Sequence, residues 1–129
     1  MTNKIRRFWH SGRVVQGKKI GRTIGFPTIN LDIPLLLTTK KLGVYAAWVR
    51  WDNKIYKGLL YFGPRLVLGE QKNILEIYIL NYKKQVSPSI VSFSLVGFIR
   101  GPSFFSSLEE MKKQLVLDRK DARVIFAGK

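Results

Sequence analysis

The sequence predicts a mainly β fold: a small closed antiparallel barrel with one α-helix packed on it at the carboxyl end. Short segments rich in β-branched and aromatic residues recur along most of the chain between turn residues, which is typical of an antiparallel barrel or sandwich. Near the carboxyl end the apolar residues instead recur at helical spacing. The 129 residues contain no repeat or linker. We therefore expect one domain over residues 1–129, with its core at residues 7–126.

Five segments predict strands: residues 12–16, 43–51, 55–62, 74–82 and 90–100. Asp52, Asn53 and Lys54 predict a tight turn that joins the second and third segments in a hairpin. Ser107 and Glu110 fit a capping box, which predicts that a helix begins there. The apolar stripe of this helix is predicted to consist of Leu108, Met111, Leu115, Ala122 and Phe126.

Composition excludes several classes of site. The chain has no cysteine, which excludes disulfides and thiolate metal sites. Its single histidine, His10, cannot build a His-rich metal centre. The apolar runs are far shorter than a membrane span and the amino terminus has no apolar signal core, so we expect a cytoplasmic protein without a membrane partner.

The charge of the chain is strongly positive, because 23 Lys and Arg stand against 8 Asp and Glu, a formal net charge of +15. Such a field attracts nucleotides, nucleic acid or acidic membranes. The cations are scattered rather than grouped, which favours solvated surface lysines over a nucleic-acid patch. Carboxylates are scarce, so a carboxylate that acts as a general base must be one of only eight residues.

A glycine-rich segment with cations is a candidate phosphate site. It contains Gly17, Lys18, Lys19, Gly21 and Arg22. Glycine lets backbone N–H groups approach phosphate closely, and the cations add charge. The segment is not a Walker A loop, since three residues rather than four separate its glycines and arginine stands in place of lysine. An ordinary turn between strands is an equally good interpretation.

Thr28 and Asn30 form a candidate metal site. Pro27 fixes its own φ angle and pushes Phe26 toward extended geometry. Thr28 and Asn30 are two residues apart in this extended segment, so they project to the same side. A hydroxyl and an amide oxygen side by side suit Mg²⁺, which keeps several waters and bridges phosphates. The alternative is a strand start whose polar side chains face water.

Glu76 is the candidate general base. Alternation places it on one face of its strand with Ile74, Tyr78 and Leu80. A carboxylate between isoleucines is expected to be partly desolvated, which makes it a better proton acceptor. The alternative is a solvent-facing position on an edge strand.

Arg100 ends the last predicted strand, and Phe104 and Phe105 follow it. An arginine with two aromatic rings at a barrel rim can stack on a flat heterocycle or donate hydrogen bonds to it. The alternative is a loop that leads into the helix, with a phenylalanine packed beneath that helix.

These elements belong to one pattern. The motif Gly-Arg-x-x-Gly-Phe-Pro-Thr-x-Asn occupies residues 21–30, and Gly43-Val-Tyr-Ala, Leu-Glu76-Ile-Tyr-Ile and Ile99-Arg100 follow before Phe105-Ser-Ser-Leu-Glu-Glu-Met. In this order, over residues 7–123, they resemble the riboflavin kinase family. That family is the carboxy-terminal module of bacterial bifunctional FAD synthetases and a stand-alone enzyme in eukaryotes.

The resemblance implies a six-stranded, Greek-key-like barrel that binds ATP, Mg²⁺ and riboflavin. It implies transfer of the γ-phosphate to the ribityl 5′-hydroxyl, which gives FMN, by a monomer without a nucleotidyltransferase domain. The nucleotide site would comprise Gly17, Lys18, Lys19, Gly21, Arg22 and Thr28. The other roles would be Mg²⁺ binding by Thr28 and Asn30, proton acceptance by Glu76, and flavin contact by Asn30, Arg100 and Phe105.

The chain also departs from the family pattern. The segments after Phe62 and Leu80 differ, and Pro102 stands where an acidic residue is expected after the arginine. These departures leave open a second hypothesis, a flavin- or nucleotide-binding module of the same fold that does not catalyse.

A third hypothesis is a basic barrel that binds single-stranded nucleic acid through stacking and a cationic groove. It gives no reason for Pro27, Thr28, Asn30 and Glu76 to occur together, so nucleic acid is the least expected partner. The kinase hypothesis, in contrast, requires Glu76 to converge with Thr28 and Asn30 around one cavity.

Overall fold

The computed structural model describes residues 7–15, 28–64, 72–82 and 88–129. Within these ranges it contains six strands, a short 3-10 helix and one α-helix. The strands are β1 (His10–Val15), β2 (Thr28–Leu31), β3 (Gly43–Trp51), β4 (Lys54–Pro64), β5 (Asn73–Ile79) and β6 (Ile90–Arg100). The 3-10 helix is Leu35–Thr39, and the α-helix α1 is Leu108–Ala127.

The strands close into an antiparallel barrel in the order β1–β2–β5–β4–β3–β6. Strands β3, β4 and β5 follow one another along the chain, and β6 returns to lie beside β3, which is the Greek-key arrangement. Closure through the β1–β6 pair removes the open edges of the sheet. The predicted fold class, a closed barrel with one carboxyl-terminal helix, is confirmed.

Most strand predictions are close to the observed bounds. Strands β3 and β6 match the prediction, whereas β1 begins earlier, at His10, and β4 continues to Pro64. Strand β5 ends at Ile79 rather than at Tyr82, because Asn81 has a φ of 55° that turns the chain out of the sheet. The extended geometry predicted around Thr28 is strand β2.

The predicted hairpin between β3 and β4 is present. Asp52 and Asn53 have φ angles of 50° and 61°, and positive φ at both central residues is the signature of a type I′ turn. Trp51 and Lys54 pair directly across this turn. Aspartate and asparagine tolerate this left-handed conformation better than other non-glycine residues, so the local sequence fixes the turn.

Alternation along the strands creates an inner and an outer layer. The inward-facing residues of β2 and β5 are at most 3% exposed and form part of the barrel core: Ile29, Leu31, Leu75, Ile77 and Ile79. The residues between them face outward. On the outer face of β3 and β4, a second apolar layer packs against α1 and includes Val44, Ala46 and Leu59.

Helix α1 begins at the predicted cap. The Ser107 hydroxyl accepts the N–H of Glu110 at 3.2 Å, while the Glu110 carboxylate accepts the N–H of Ser106 at 3.1 Å. Four members of the predicted stripe are buried: Met111, Leu115, Ala122 and Phe126. The prediction for Leu108 was wrong, since this residue is 44% exposed. Leu108 is the first residue of the helix and lies nearly one turn before Met111, the first buried member of the stripe. No helix in the described ranges has the length and apolar character needed to span a membrane.

Gly43 begins β3 with a φ of 145°, and a Cβ there would lie 2.1 Å from the Arg100 carbonyl oxygen. We expect Gly43→Ala to lower the free energy of unfolding by about 3 kcal/mol, because both the backbone conformation and the contact must relax. Gly101→Ala is the matched control, since nothing lies within 4 Å of its added Cβ. Urea denaturation measures both variants, and a change of less than about 0.5 kcal/mol is expected for the control. Equal stability of the two variants would contradict this contact between β3 and β6.

Candidate active site

The pairing of β2 with β5 brings four polar side chains together. Asn30 lies directly opposite Glu76, and Thr28 lies directly opposite Tyr78. Directly opposed residues have Cβ atoms about 5 Å apart in an antiparallel pair, and alternation puts all four side chains on the same face. Each of the four is at most 7% exposed. Glu76 thus converges with Thr28 and Asn30 on one face of the barrel, as the kinase hypothesis requires. Of these three residues, only Glu76 lines the cavity described below.

The Glu76 side chain lies on the outer surface of the barrel, yet it is shielded from bulk water. Its neighbours along β5, Leu75 and Ile77, point into the barrel core, so the carboxylate points the other way. It is only 4% exposed. The Tyr78 hydroxyl donates a hydrogen bond of 2.5 Å to Oε1 of Glu76, which fixes the orientation of the carboxylate. The solvent-facing interpretation of Glu76 is therefore excluded.

A cavity of about 60 Å³ adjoins Glu76 between the barrel wall and the first turns of α1. Three of the predicted site residues line this cavity, although they lie far apart in the sequence. They are Glu76, Arg100 and Phe105. The rest of the lining is largely apolar and includes Leu59, Ile74, Tyr78, Met111 and Leu115. This volume admits only a few waters, so a fused-ring ligand enters only when lining side chains move apart.

The Arg100 guanidinium is bound to helix α1. Its Nε and Nη2 donate to the two carboxylate oxygens of Asp118, both at 2.9 Å. Its Nη1 donates to the Gly101 carbonyl at 3.1 Å and to the Ser103 hydroxyl at 3.4 Å. Such a bidentate pair is strong and directional. Arg100 therefore ties the end of β6 to the helix and orders the segment that follows it.

Asp118 was not predicted as a site residue. It is completely buried and also accepts a hydrogen bond of 2.9 Å from the amide of Gln114. A signal was present in the sequence, because Asp118 lies three residues after Leu115 and four before Ala122, within the apolar stripe of α1. A buried carboxylate needs a cationic partner, and the partly buried Arg100 is that partner.

The two phenylalanines after Arg100 differ in environment. Phe105 is partly buried against the outer apolar layer, and the Arg100 guanidinium lies 5.7 Å from its ring centroid. Phe104 is 73% exposed. Phe105 thus lines the cavity beside Glu76, while Phe104 does not. The flavin contact assigned to Phe105 stays a prediction.

The donor chemistry around Thr28 fits a magnesium ion that is held together with phosphates. The Thr28 hydroxyl is buried and has no hydrogen-bond partner among the described residues, and Asn30 projects to the same side. No three His, Asp or Glu side chains in the described ranges come together as a metal cage. Mg²⁺ commonly relies on one or two protein oxygens, waters and substrate phosphates, so the residues present suit it.

The remaining predicted nucleotide-binding residues lie outside the described residues. They are Gly17, Lys18, Lys19, Gly21 and Arg22. Their assignment to the phosphates of a nucleotide stays a prediction. They precede β2 in the chain, which begins at Thr28.

The chain is similar to known proteins over nearly its whole length. The profile of the Flavokinase family, described as riboflavin kinase, matches residues 4–126. The bifunctional riboflavin kinase/FMN adenylyltransferase of Escherichia coli (strain K12) is 35% identical over 117 residues, which covers 90% of this chain and 37% of that protein. The chain thus spans little more than a third of the length of the curated bifunctional relatives it matches.

Two crystal structures have a similar fold. Riboflavin kinase from Trypanosoma brucei superposes with a TM-score of 0.65 at 20% identity, covering 97% of this chain and 83% of that one. A protein from Streptococcus pneumoniae described as a macrolide-efflux protein superposes with a TM-score of 0.72 at 25% identity, covering 91% of this chain and 38% of that one. From the family profile and the sequence relatives, the chain belongs to the riboflavin kinase family.

The Arg100–Asp118 pair gives a test of how the helix is held. We expect Asp118→Asn to lower the free energy of unfolding by about 2–3 kcal/mol, because it leaves the guanidinium without its counter-charge. The cost stays below that of a fully buried pair, since the Arg100 side chain is 19% exposed. Asp121→Asn, an exposed aspartate on the same helix, is the control. Denaturation by guanidinium chloride measures the free energy of unfolding of both variants. Similar losses of stability in the two would contradict a special role for Asp118.

Proposed function

We propose that the chain is an ATP-dependent riboflavin kinase, which transfers the γ-phosphate of ATP to the 5′-hydroxyl of the ribityl chain. The observation that carries the proposal is the buried pairing of Asn30 with Glu76, beside Thr28. These are the residues that the family motif assigns to metal binding and proton transfer. Membership of the riboflavin kinase family supports the choice of riboflavin as acceptor.

In this reaction the bond between the γ-phosphorus and the β,γ-bridging oxygen breaks, and a bond from the ribityl oxygen to that phosphorus forms. ADP leaves, and the proton of the attacking hydroxyl passes to the Glu76 carboxylate. Glu76 is the acceptor because it is a buried carboxylate at the cavity. Phosphoryl transfer depends mainly on positioning and charge neutralisation, so one oriented acceptor suffices.

Thr28 and Asn30 would hold Mg²⁺, which neutralises charge on the transferring phosphates when it is bound. Tyr78 positions the acceptor through its hydrogen bond to Oε1 of Glu76. Gly17, Lys18, Lys19, Gly21 and Arg22 would contact the nucleotide phosphates, as their backbone and charge favour.

The apolar cavity beside Glu76 is the proposed site of the flavin ring. Phe105 supplies an aromatic wall, and Asn30 would contact the ribityl chain, which has to reach Glu76. The Arg100 guanidinium makes four hydrogen bonds to other described residues. We therefore propose that Arg100 contributes to flavin binding by holding Phe105 and the helix in place. Its guanidinium would not donate hydrogen bonds to the ligand.

The proposed substrates and products are riboflavin and ATP, and FMN and ADP. We propose a monomer, because the barrel closes through its own β1–β6 pair and needs no strand from a partner. The cytoplasm is the proposed location, since the reaction consumes ATP. The test is to incubate the protein with riboflavin, ATP and Mg²⁺ and to measure FMN by chromatography. Flavin binding without FMN or ADP formation would instead favour a non-catalytic module.

We expect Glu76→Gln to lower kcat by about 10²- to 10⁴-fold, because the amide cannot accept the proton from the attacking hydroxyl. Nucleotide affinity should change little, since the variant retains the shape of the side chain. Glu109→Gln, an exposed glutamate on α1, is the matched control and should retain its turnover. Unchanged FMN formation by Glu76→Gln would remove this residue from the mechanism.

We expect Tyr78→Phe to lower kcat about tenfold with little effect on KM for riboflavin, because Glu76 loses the donor that orients it. A tenfold loss corresponds to about 1.4 kcal/mol of transition-state stabilisation. Tyr56→Phe, in which the ring stacked on Trp51 is preserved, serves as the control. A rise in KM at constant kcat would show that Tyr78 binds substrate rather than positioning the base.

A further inference from the structure

A second, larger cavity lies apart from the candidate active site. Its volume is about 540 Å³, and it lies between the start of β1, the 3-10 helix, the middle of β6 and the carboxyl end of the chain. Among the described residues, none lines both this cavity and the one beside Glu76. Its volume falls in the range of small-molecule sites, about 300–1,000 Å³.

The charge of this second cavity is positive. Arg7, Lys40 and Lys129 contribute to its lining, and no aspartate or glutamate side chain in the described ranges does so. Arg7 and Lys40, with no aspartate or glutamate side chain in the described lining, produce a field that attracts anions. The Ser94 hydroxyl adds a hydrogen-bonding group to the same lining, whereas the Thr39 hydroxyl already donates to the Leu36 carbonyl oxygen at 3.0 Å.

Aromatic rings form another part of the lining. The ring of Phe8 is 57% exposed and meets the ring of His10 edge-on, with centroids 4.7 Å apart. His10 in turn stacks on Phe93 at 5.0 Å, which holds it rigidly in place. Burial, together with the nearby charge of Lys40, lowers the pKa of His10. This lowered pKa favours the neutral form of the His10 ring.

Trp48 forms a further aromatic part of the lining, and the guanidinium of Arg7 lies 5.0 Å from its ring centroid. The cavity thus offers cations and exposed ring surface within one volume. The cations can bind phosphates, and flat heterocycles can stack on the aromatic rings. Stacking of one base on an aromatic ring contributes about 1–3 kcal/mol to binding.

We propose that this cavity binds a small anion that carries a flat ring, of the mononucleotide class. Neither feature alone accounts for the site: a phosphate site needs no aromatic wall, and an apolar pocket needs no cations. This site goes beyond the proposed kinase function, because none of its residues takes part in phosphoryl transfer.

The test uses the full chain labelled with ¹⁵N, whose small size suits amide chemical-shift mapping. AMP is the probe, and inorganic phosphate and adenosine are the two partial probes. We expect AMP to shift the amides of Thr39, Lys40 and residues 94–96 in a saturable manner, with a Kd below about 1 mM. Each partial probe should bind at least about tenfold more weakly. Shifts confined to the neighbourhood of Thr28 and Glu76 would overturn the proposal, even if the kinase site is real.

Lys40→Glu tests the role of charge in this cavity, and we expect it to weaken AMP binding at residues 94–96 at least tenfold. Lys54→Glu, an exposed lysine at the β3–β4 turn, makes the same change of net charge elsewhere and should leave the affinity within about twofold. Phe8→Ala removes the exposed ring and should also weaken AMP, but not phosphate. Equal losses in the two lysine variants would show diffuse attraction by the net charge and overturn the proposal.

Discussion

The register between β2 and β5 is the constraint on which the rest of the candidate site depends. Asn30 opposes Glu76 because Ile29 and Ile77, next to them, are both required in the barrel core. If β2 or β5 shifted by one residue, its polar side chains would point into the barrel core and its apolar side chains would point outward. The apolar residues thus enforce the position of the polar ones, and the fold and the site share one cause.

A filled barrel leaves no room for chemistry inside. The interior is packed with large side chains such as Phe93 and Ile77, which are fully buried, so a reactive carboxylate must lie on the outer wall. An outer wall alone would leave Glu76 in bulk water. Helix α1 provides the cover, because Met111 and Leu115 close the other side of its cavity. The apolar stripe of the helix therefore serves both stability and shielding.

Sequence reasoning succeeded where one short segment contains all the information. The alternation in β3, the turn at Asp52 and Asn53, and the shared side of Thr28 and Asn30 are local properties, and each is present. It failed where a residue depends on a distant partner. Asp118 was not predicted as a site residue, because its partner Arg100 lies 18 positions away in the chain. The second cavity was not predicted for the same reason. Its lining comes from the start of β1, the 3-10 helix, β3, β6 and the carboxyl end, which are distant in the sequence.

The pair of Arg100 and Asp118 also bears on the departure of the chain from the family pattern. Pro102 stands where an acidic residue is expected near the arginine, which would leave a guanidinium at the cavity without a counter-charge. Asp118 supplies that charge from α1, at 0% exposure and in bidentate geometry. A buried ion pair gives little net stability but is costly to break, so its main effect is on geometry. It sets where the helix lies over Glu76, and thereby the width of the cavity in which the proposed reaction takes place.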